Sequence, residues 1–304
     1  MKDAISKIEN ITFGCEFEYE GIGTKKAAKV IAETVGGTVA FDGSGWHRGW
    51  VVTMPDGRKW NCITDGSLQG ESSESVSPVC TYRDIEMVQR VVRALRRAGA
   101  IANERTGLHI HVGAKDMTPV QIKNLTRIFY RQEDLILKAA GTQARRIARY
   151  TRRMSHAFLD NMEELKGANL TMDGLNAAWY GTYTPRAYHY NDSRYRALNL
   201  CNLWRDSHGA AKGTVEFRFF EATTHAGKVR ANILLALTLV AFAKEAKTAS
   251  AKHKRDAETS SSKYDFRVFL LRLGWIGKTF KEPRRHLMAN LAGSAAWKNG
   301  RAAA

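Results

Sequence analysis

Two hydrophobic periods run through this chain, and together they outline its fold. Alternation at period two marks three strand-like runs, at residues 13–20, 107–113 and 214–220. A β-strand sends successive side chains to opposite faces. Cys15, Phe17 and Tyr19 therefore share a core face, as do Leu108, Ile110 and Val112, and Val215, Phe217 and Phe219. Shorter strands are expected at 38–41 and at 74–77, the latter stopped by Pro78. A hairpin is expected from 50–53 and 58–63, joined through Pro55-Asp56-Gly57. The helical period predicts helices over 23–35, 82–98, 118–140 and 227–246, with two more near 264–273 and 282–291. Gly36-Gly37 stops the first of these, and Pro119 sits at the first helical position of the third. Residues 141–193 have no clean period, and 195–200 reads as a strand paired with 214–220 through a loop at His208-Gly209.

Interspersed helices and strands with alternating patterns indicate antiparallel or mixed pairing, hence an α+β fold. The expected organisation is a catalytic-sized unit over 1–246, a polar linker or exposed loop over 247–262, and a C-terminal helical extension over 263–304. No internal repeat is visible.

The faces opposite the core carry the chemistry. Glu16 and Glu18 share one, His109 and His111 another, Glu216 and Arg218 the third. Carboxylates two residues apart on a strand lie roughly 6.5 Å apart. At an effective dielectric of about 20 they repel by roughly 2–3 kcal/mol. Glutamate is also a poor strand former. A divalent cation offsets the repulsion directly, since Mg²⁺, Mn²⁺ and Ca²⁺ prefer oxygen ligands. A half-exposed, merely charged sheet accounts for any one run; the three together point to a metal and phosphate site.

Composition narrows the partners. The 304 residues carry a formal charge of +17, which favours a polyanion such as nucleic acid, a nucleotide or an acidic polymer. Arg145, Arg146, Arg149, Arg152 and Arg153 form the densest basic cluster, either a solvated face or a clamp on phosphates. Cys15, Cys62, Cys80 and Cys201 form no CxxC pair, which suits a reduced, cytoplasmic protein. No signal-peptide core opens the chain, and its longest apolar run, 233–243, is too short to span a bilayer.

The motifs occur in a telling order. Phe13-Gly14-Cys15-Glu16-Phe17-Glu18 comes first, then Asp65-x-Ser67-Leu68 and Glu74-x-Val76-Ser77-Pro78, then Gly107-Leu108-His109-Ile110-His111-Val112-Gly113. Arg194-Tyr195, Leu198-Asn199-Leu200 and Gly213-Thr214-Val215-Glu216-Phe217-Arg218 follow. Over roughly 11–245 this resembles the putative amidoligase family of carboxylate–amine ligases, related to glutamine synthetase and glutamate–cysteine ligase. The resemblance implies a curved, mainly antiparallel sheet forming an active-site funnel, with helices on its outer face. It implies ATP with Mg²⁺ or Mn²⁺, an acyl-phosphate intermediate, and small-molecule or peptide carboxylate and amine substrates. Larger relatives are often oligomers.

By motif position, Glu16, Glu18, Asp65, Glu74, His109 and Glu216 would hold metal, with Glu20 and Glu71 as substitutes. Arg218 would supply the positive charge on the transferring phosphoryl, with Glu216 beside it, unless the two form a simple salt bridge. His111, Arg194 and Asn199 would contact nucleotide or phosphate, with Arg196 competing for the arginine's place and His111 alternatively holding a ligand in position. Asp65 alternatively caps a turn. Cys15 departs from the aliphatic residue usual in the family. Gly21-Ile22-Gly23-Thr24-Lys25 lacks the ending of a phosphate loop. Competing readings are a zinc hydrolase using His109-x-His111, a guanidino phosphotransferase, or a basic nucleic-acid-binding protein.

Overall fold

The computed structural model describes residues 4–44, 49–184, 191–204, 212–252 and 254–298. Among the described residues, eight strands form one open sheet: β1 (Phe13–Glu20), β2 (Thr38–Asp42), β3 (Gly49–Thr53), β4 (Lys59–Ile63), β5 (Ser72–Val76), β6 (Gly107–Gly113), β7 (Leu198–Asn199) and β8 (Thr214–Glu221). Their order is β2-β3-β4-β5-β1-β6-β8-β7, and every neighbouring pair is antiparallel. The α+β expectation holds.

The helices are α1 (Ala4–Ile8), α2 (Thr24–Val35), α3 (Ile85–Arg97), α4 (Pro119–Ala140), α5 (Ala144–Arg149), α6 (His156–Glu164), α7 (Met172–Tyr180), α8 (Ala226–Glu245), α9 (Ser262–Arg272) and α10 (Lys281–Met288). Local chemistry sets several ends. Gly36 closes α2 at φ 71°, a left-handed conformation that costs other residues dearly. Thr118 and Gln121 cap each other's backbone N–H at the start of α4, ahead of Pro119 at its first turn.

Alternation works as expected on the core side. Cys15, Phe17, Tyr19, Leu108, Ile110, Val112, Val215, Phe217 and Phe219 are all buried in one hydrophobic cluster. Phe129 of α4 lies against Phe217 and Phe219, while α8 packs on β6 and α2 on β3, β4 and β5. The alternation breaks once: β6 pairs Leu108 with Phe220 but Ile110 with Phe217, so β8 carries an extra residue there. This bulge sends both Phe219 and Phe220 into the core and returns Glu221 to the front, opposite Gly107.

Two expectations change. The strand over 195–200 shrinks to Leu198–Asn199, because the Asn191 side chain accepts from Ser193 N and opens a 3₁₀ turn through Tyr195. The unreadable stretch 141–193 holds α5, α6 and α7, none longer than 9 residues. The loop at His208-Gly209 lies outside the described residues.

Helix α8 has the length and apolarity of a membrane span, but 78% of its most apolar window is buried. It is the core helix. The C-terminal helices join the same core: Trp275, wholly buried, donates from Nε1 to Thr238 Oγ1 of α8 at 2.9 Å. Ahead of them, Arg255 N bonds Arg131 O at 2.8 Å and Lys254 Nζ pairs with the buried Glu133 at 2.9 Å. The four cysteines are buried free thiols.

Trp275→Ala should therefore cost about 3–5 kcal/mol, the usual range for emptying a large aromatic from a core. Urea unfolding followed by circular dichroism should show one transition moved to a lower midpoint. An unchanged main transition would mean that α9 and α10 fold apart from the sheet.

Candidate active site

Strand register assembles the front face. Glu16 of β1 stands opposite His109 of β6, Glu18 opposite Glu74 of β5, His111 opposite Glu216 of β8, and Glu216 opposite Asn199 of β7. Residues from five adjacent strands thus meet in one place, though they come from positions 16 to 216 of the chain. Opposed residues on paired strands are within side-chain reach.

His109 is the hub. Its Nδ1 lies 3.1 Å from Glu16 Oε2 and 3.7 Å from Glu216 Oε1, and its Nε2 lies 3.7 Å from Glu18 Oε1. One ligand atom each of Glu16, His109 and Glu216 falls within 4.8 Å of the others. His111 Nε2 lies 3.0 Å from Glu16 Oε1, and its Nδ1 is 3.3 Å from Asn202 Nδ2. Asn202 was not foreseen; no spacing in the sequence ties it to His111.

Around Glu216 the carboxylate is held from both sides. Arg218 Nη1 is hydrogen-bonded to Oε1, and Asn199 Nδ2 donates to Oε2 at 2.7 Å. Asn199 Oδ1 in turn accepts from Cys201 N at 2.9 Å. The salt bridge and the site role of Arg218 are thus compatible, since the pair lies within the cluster. Arg218 also sits over the Tyr195 ring, 5.8 Å from its centre, and Arg194 lies over the same ring at 5.5 Å. Arg194 is thus linked to the cluster through Tyr195.

Glu18 Oε2 accepts from Gly107 N at 2.6 Å. Asp65 lies in the loop before β5, where its Oδ1 accepts from Ser67 N at 2.6 Å, and its charge acts on Glu74. Glu20, at the end of β1, is taken up by a pair with Arg105 at 2.8 Å and a bond from Asn103. Glu71 lies against Gly23 at the start of α2. Arg196 donates from Nη1 to Arg153 O at 2.9 Å.

Charge is balanced unevenly across this face. Burial pushes Glu16 up, but His111 and His109 outweigh it and hold its carboxyl well below the usual range. Burial likewise opposes Glu216, and Arg218 with the two histidines brings it down. Burial opposes His111 too, but Glu16 and Glu216 raise it. At Glu74 nothing comparable answers: burial, then Glu16, Glu18 and Asp65, push its carboxyl to about 9 against the slight pull of Arg218. Two ionised carboxylates and an imidazole within 4.8 Å make a donor set that fits Mg²⁺ or Mn²⁺. Glu18 and Glu74 face each other on the neighbouring strand pair.

The basic cluster does not form one solvated face. Helix α5 ends at Arg149, so Arg153 lies beyond it. Arg145 pairs with Glu104 at 3.2 Å, Arg152 with Asp192 at 3.6 Å and Arg153 with Asp134 at 2.8 Å, while Arg149 lies over Tyr150. Arg146 alone turns into the protein.

Compared with known families, the chain matches the one described as putative amidoligase enzyme over residues 9–240. The chain belongs to the amidoligase family. All the carboxylates and imidazoles of the front face lie inside the matched stretch, and membership points to an amide-bond-forming ligase. No curated protein matches this amidoligase-family chain.

A pH dependence follows from Glu74. In the metal-free protein its folded carboxyl keeps a proton up to about 9, against an ordinary value of 4.5. The folded state binds the extra proton across that interval, so stability falls as pH rises through it. Glu74→Gln cannot titrate and should show a smaller loss of urea midpoint between about pH 6 and about pH 8.5. An equal loss in variant and wild type would locate the dependence elsewhere.

Proposed function

We propose that this protein is an ATP- and Mg²⁺-dependent carboxylate–amine ligase that makes an amide or isopeptide bond. A substrate carboxylate would take the γ-phosphoryl of ATP, and an amine would then displace phosphate from the acyl phosphate. The observation that carries this reading is the convergence of Glu16, His109 and Glu216 beside the buried Arg218, in a chain of the amidoligase family. The curved, funnel-forming sheet of glutamine synthetase-like ligases is the architecture that goes with it.

In this reading Glu16, His109 and Glu216 hold the metal, and Glu18 and Glu74 add oxygen donors toward further ions. Bound Mg²⁺ supplies neutralisation of the β- and γ-phosphate oxygens. The chain's own groups do the rest. Asn199 fixes the Glu216 carboxylate, which in turn fixes the Arg218 guanidinium. Arg218 then meets the phosphoryl group with its charge already oriented, so little reorganisation accompanies transfer. His111, beside Glu16, and Arg194, over the Tyr195 ring, would contact nucleotide or acid. Buried free thiols suit the reduced, cytoplasmic setting in which ATP is plentiful.

Calorimetry with ATP and Mg²⁺ should show binding by the wild type and none by Glu16→Ala or Glu216→Ala, with thermal unfolding confirming that both variants fold. Phosphate release with a matched acid and amine should vanish in the same variants. Wild-type ATP consumption by both would sink the reading. Stoichiometric zinc in the purified protein, without ATP binding, would favour a hydrolase instead. Phosphoryl transfer to a guanidino acceptor with no free phosphate would favour a phosphotransferase.

A further inference from the structure

One cross-row of the front face lacks a side chain. Glu74 of β5 and Glu18 of β1 stand opposite each other, and Glu221 of β8 stands opposite Gly107 of β6. Gly107 joins the two halves of the row through its N–H to Glu18, yet contributes no side chain of its own.

The gap is filled from outside the sheet. Arg146 of α5 lays its guanidinium over Gly107, so closely that a Cβ there would fall 2.5 Å from Nη2. Only 3% of Arg146 is exposed, whereas Arg145 and Arg149 on the same helix are exposed. The helix is pinned in place by two bonds to β8: Thr142 Oγ1 donates to Phe219 O at 2.6 Å, and Gln143 N donates to Glu221 Oε1 at 3.0 Å.

The seating is incomplete in one respect. Arg146 Nη2 donates to Arg218 O at 3.3 Å, but its buried Nε, 3.5 Å from Glu221 Oε1, makes no hydrogen bond among the described residues. The Nε of Arg218, a residue 7% exposed, is likewise buried without a hydrogen-bond partner among the described residues. Two guanidiniums are thus buried together on one face, each with an unanswered donor. Like charges and unmet charged donors in a protein interior both oppose folding. An oxyanion relieves both at once.

We propose that Arg146 and Arg218 form a two-guanidinium site for the phosphoryl end of the nucleotide. The nucleotide's identity rests on the ligase reading; the anion site rests on the two arginines. A phosphoryl group is favoured over a substrate carboxylate because its two charges match two guanidiniums, and because Arg218 already holds the Glu216 carboxylate. Gly107 is then the socket that admits Arg146.

The test is calorimetry with three probes: tripolyphosphate on metal-free protein, ATP with Mg²⁺, and glutarate as a dicarboxylate control. Arg146→Gln should weaken tripolyphosphate and ATP roughly tenfold or more, Arg146→Lys should recover part of the loss, and glutarate should not respond. Gly107→Ala keeps the charge but displaces the guanidinium, so it should fall with Arg146→Gln; it decides the matter if Arg146→Gln does not fold. Tripolyphosphate binding that all variants share with wild type would overturn the arginine pair and leave the ligase reading standing. A loss confined to glutarate would also overturn it. Wild type that binds neither tripolyphosphate nor ATP would overturn both.

Discussion

Four glutamates, Glu16, Glu18, Glu74 and Glu216, crowd one face of four adjacent strands, and their mutual repulsion sets the terms for everything around them. Without a metal the protein answers in three ways. His109 and His111 sit between the carboxylates, Arg218 pairs with Glu216, and Glu74 keeps a proton. The first two answers are built from fixed side chains. The third is the one a divalent cation would displace, because a carboxyl held neutral by its neighbours ionises once positive charge arrives.

This arrangement depends on strands that cannot slide. A slip of one residue would send the glutamates into the core and the phenylalanines to the front. The apolar backs of β1, β6 and β8 make that slip prohibitive, since each is packed against α4 or α8 or the cluster they share. The bulge in β8 is the one concession. It buries two successive phenylalanines and still brings Glu221 back to the front opposite Gly107. The hydrophobic layer therefore positions the ionisable one, and a functional constellation needs such pre-set geometry.

Much of this was legible in the sequence because alternation is a local property. Glu16 and Glu18, His109 and His111, and Glu216 and Arg218 could be assigned to faces without knowing which strands touch. Register was beyond reach, so nothing in the pattern showed Glu18 opposite Glu74 or Asn199 opposite Glu216. The short helices α5 to α7 were unreadable for a related reason. They are too brief to repeat an apolar stripe, and bonds such as Asn176 to the Thr184 backbone shape the chain there. Arg146 was visible only as one of five neighbouring arginines, and its burial follows from a glycine nearly forty residues away.

The two halves of the site therefore have different origins. The carboxylate and imidazole half lies on strands β1, β5, β6 and β8. The guanidinium half includes a residue delivered by α5, which is held to β8 by Thr142 and Gln143 and admitted by the missing side chain at Gly107. If Arg146 binds an anion as proposed, a change in the α5 segment would alter that side of the site and leave the strand-borne carboxylates and imidazoles in place.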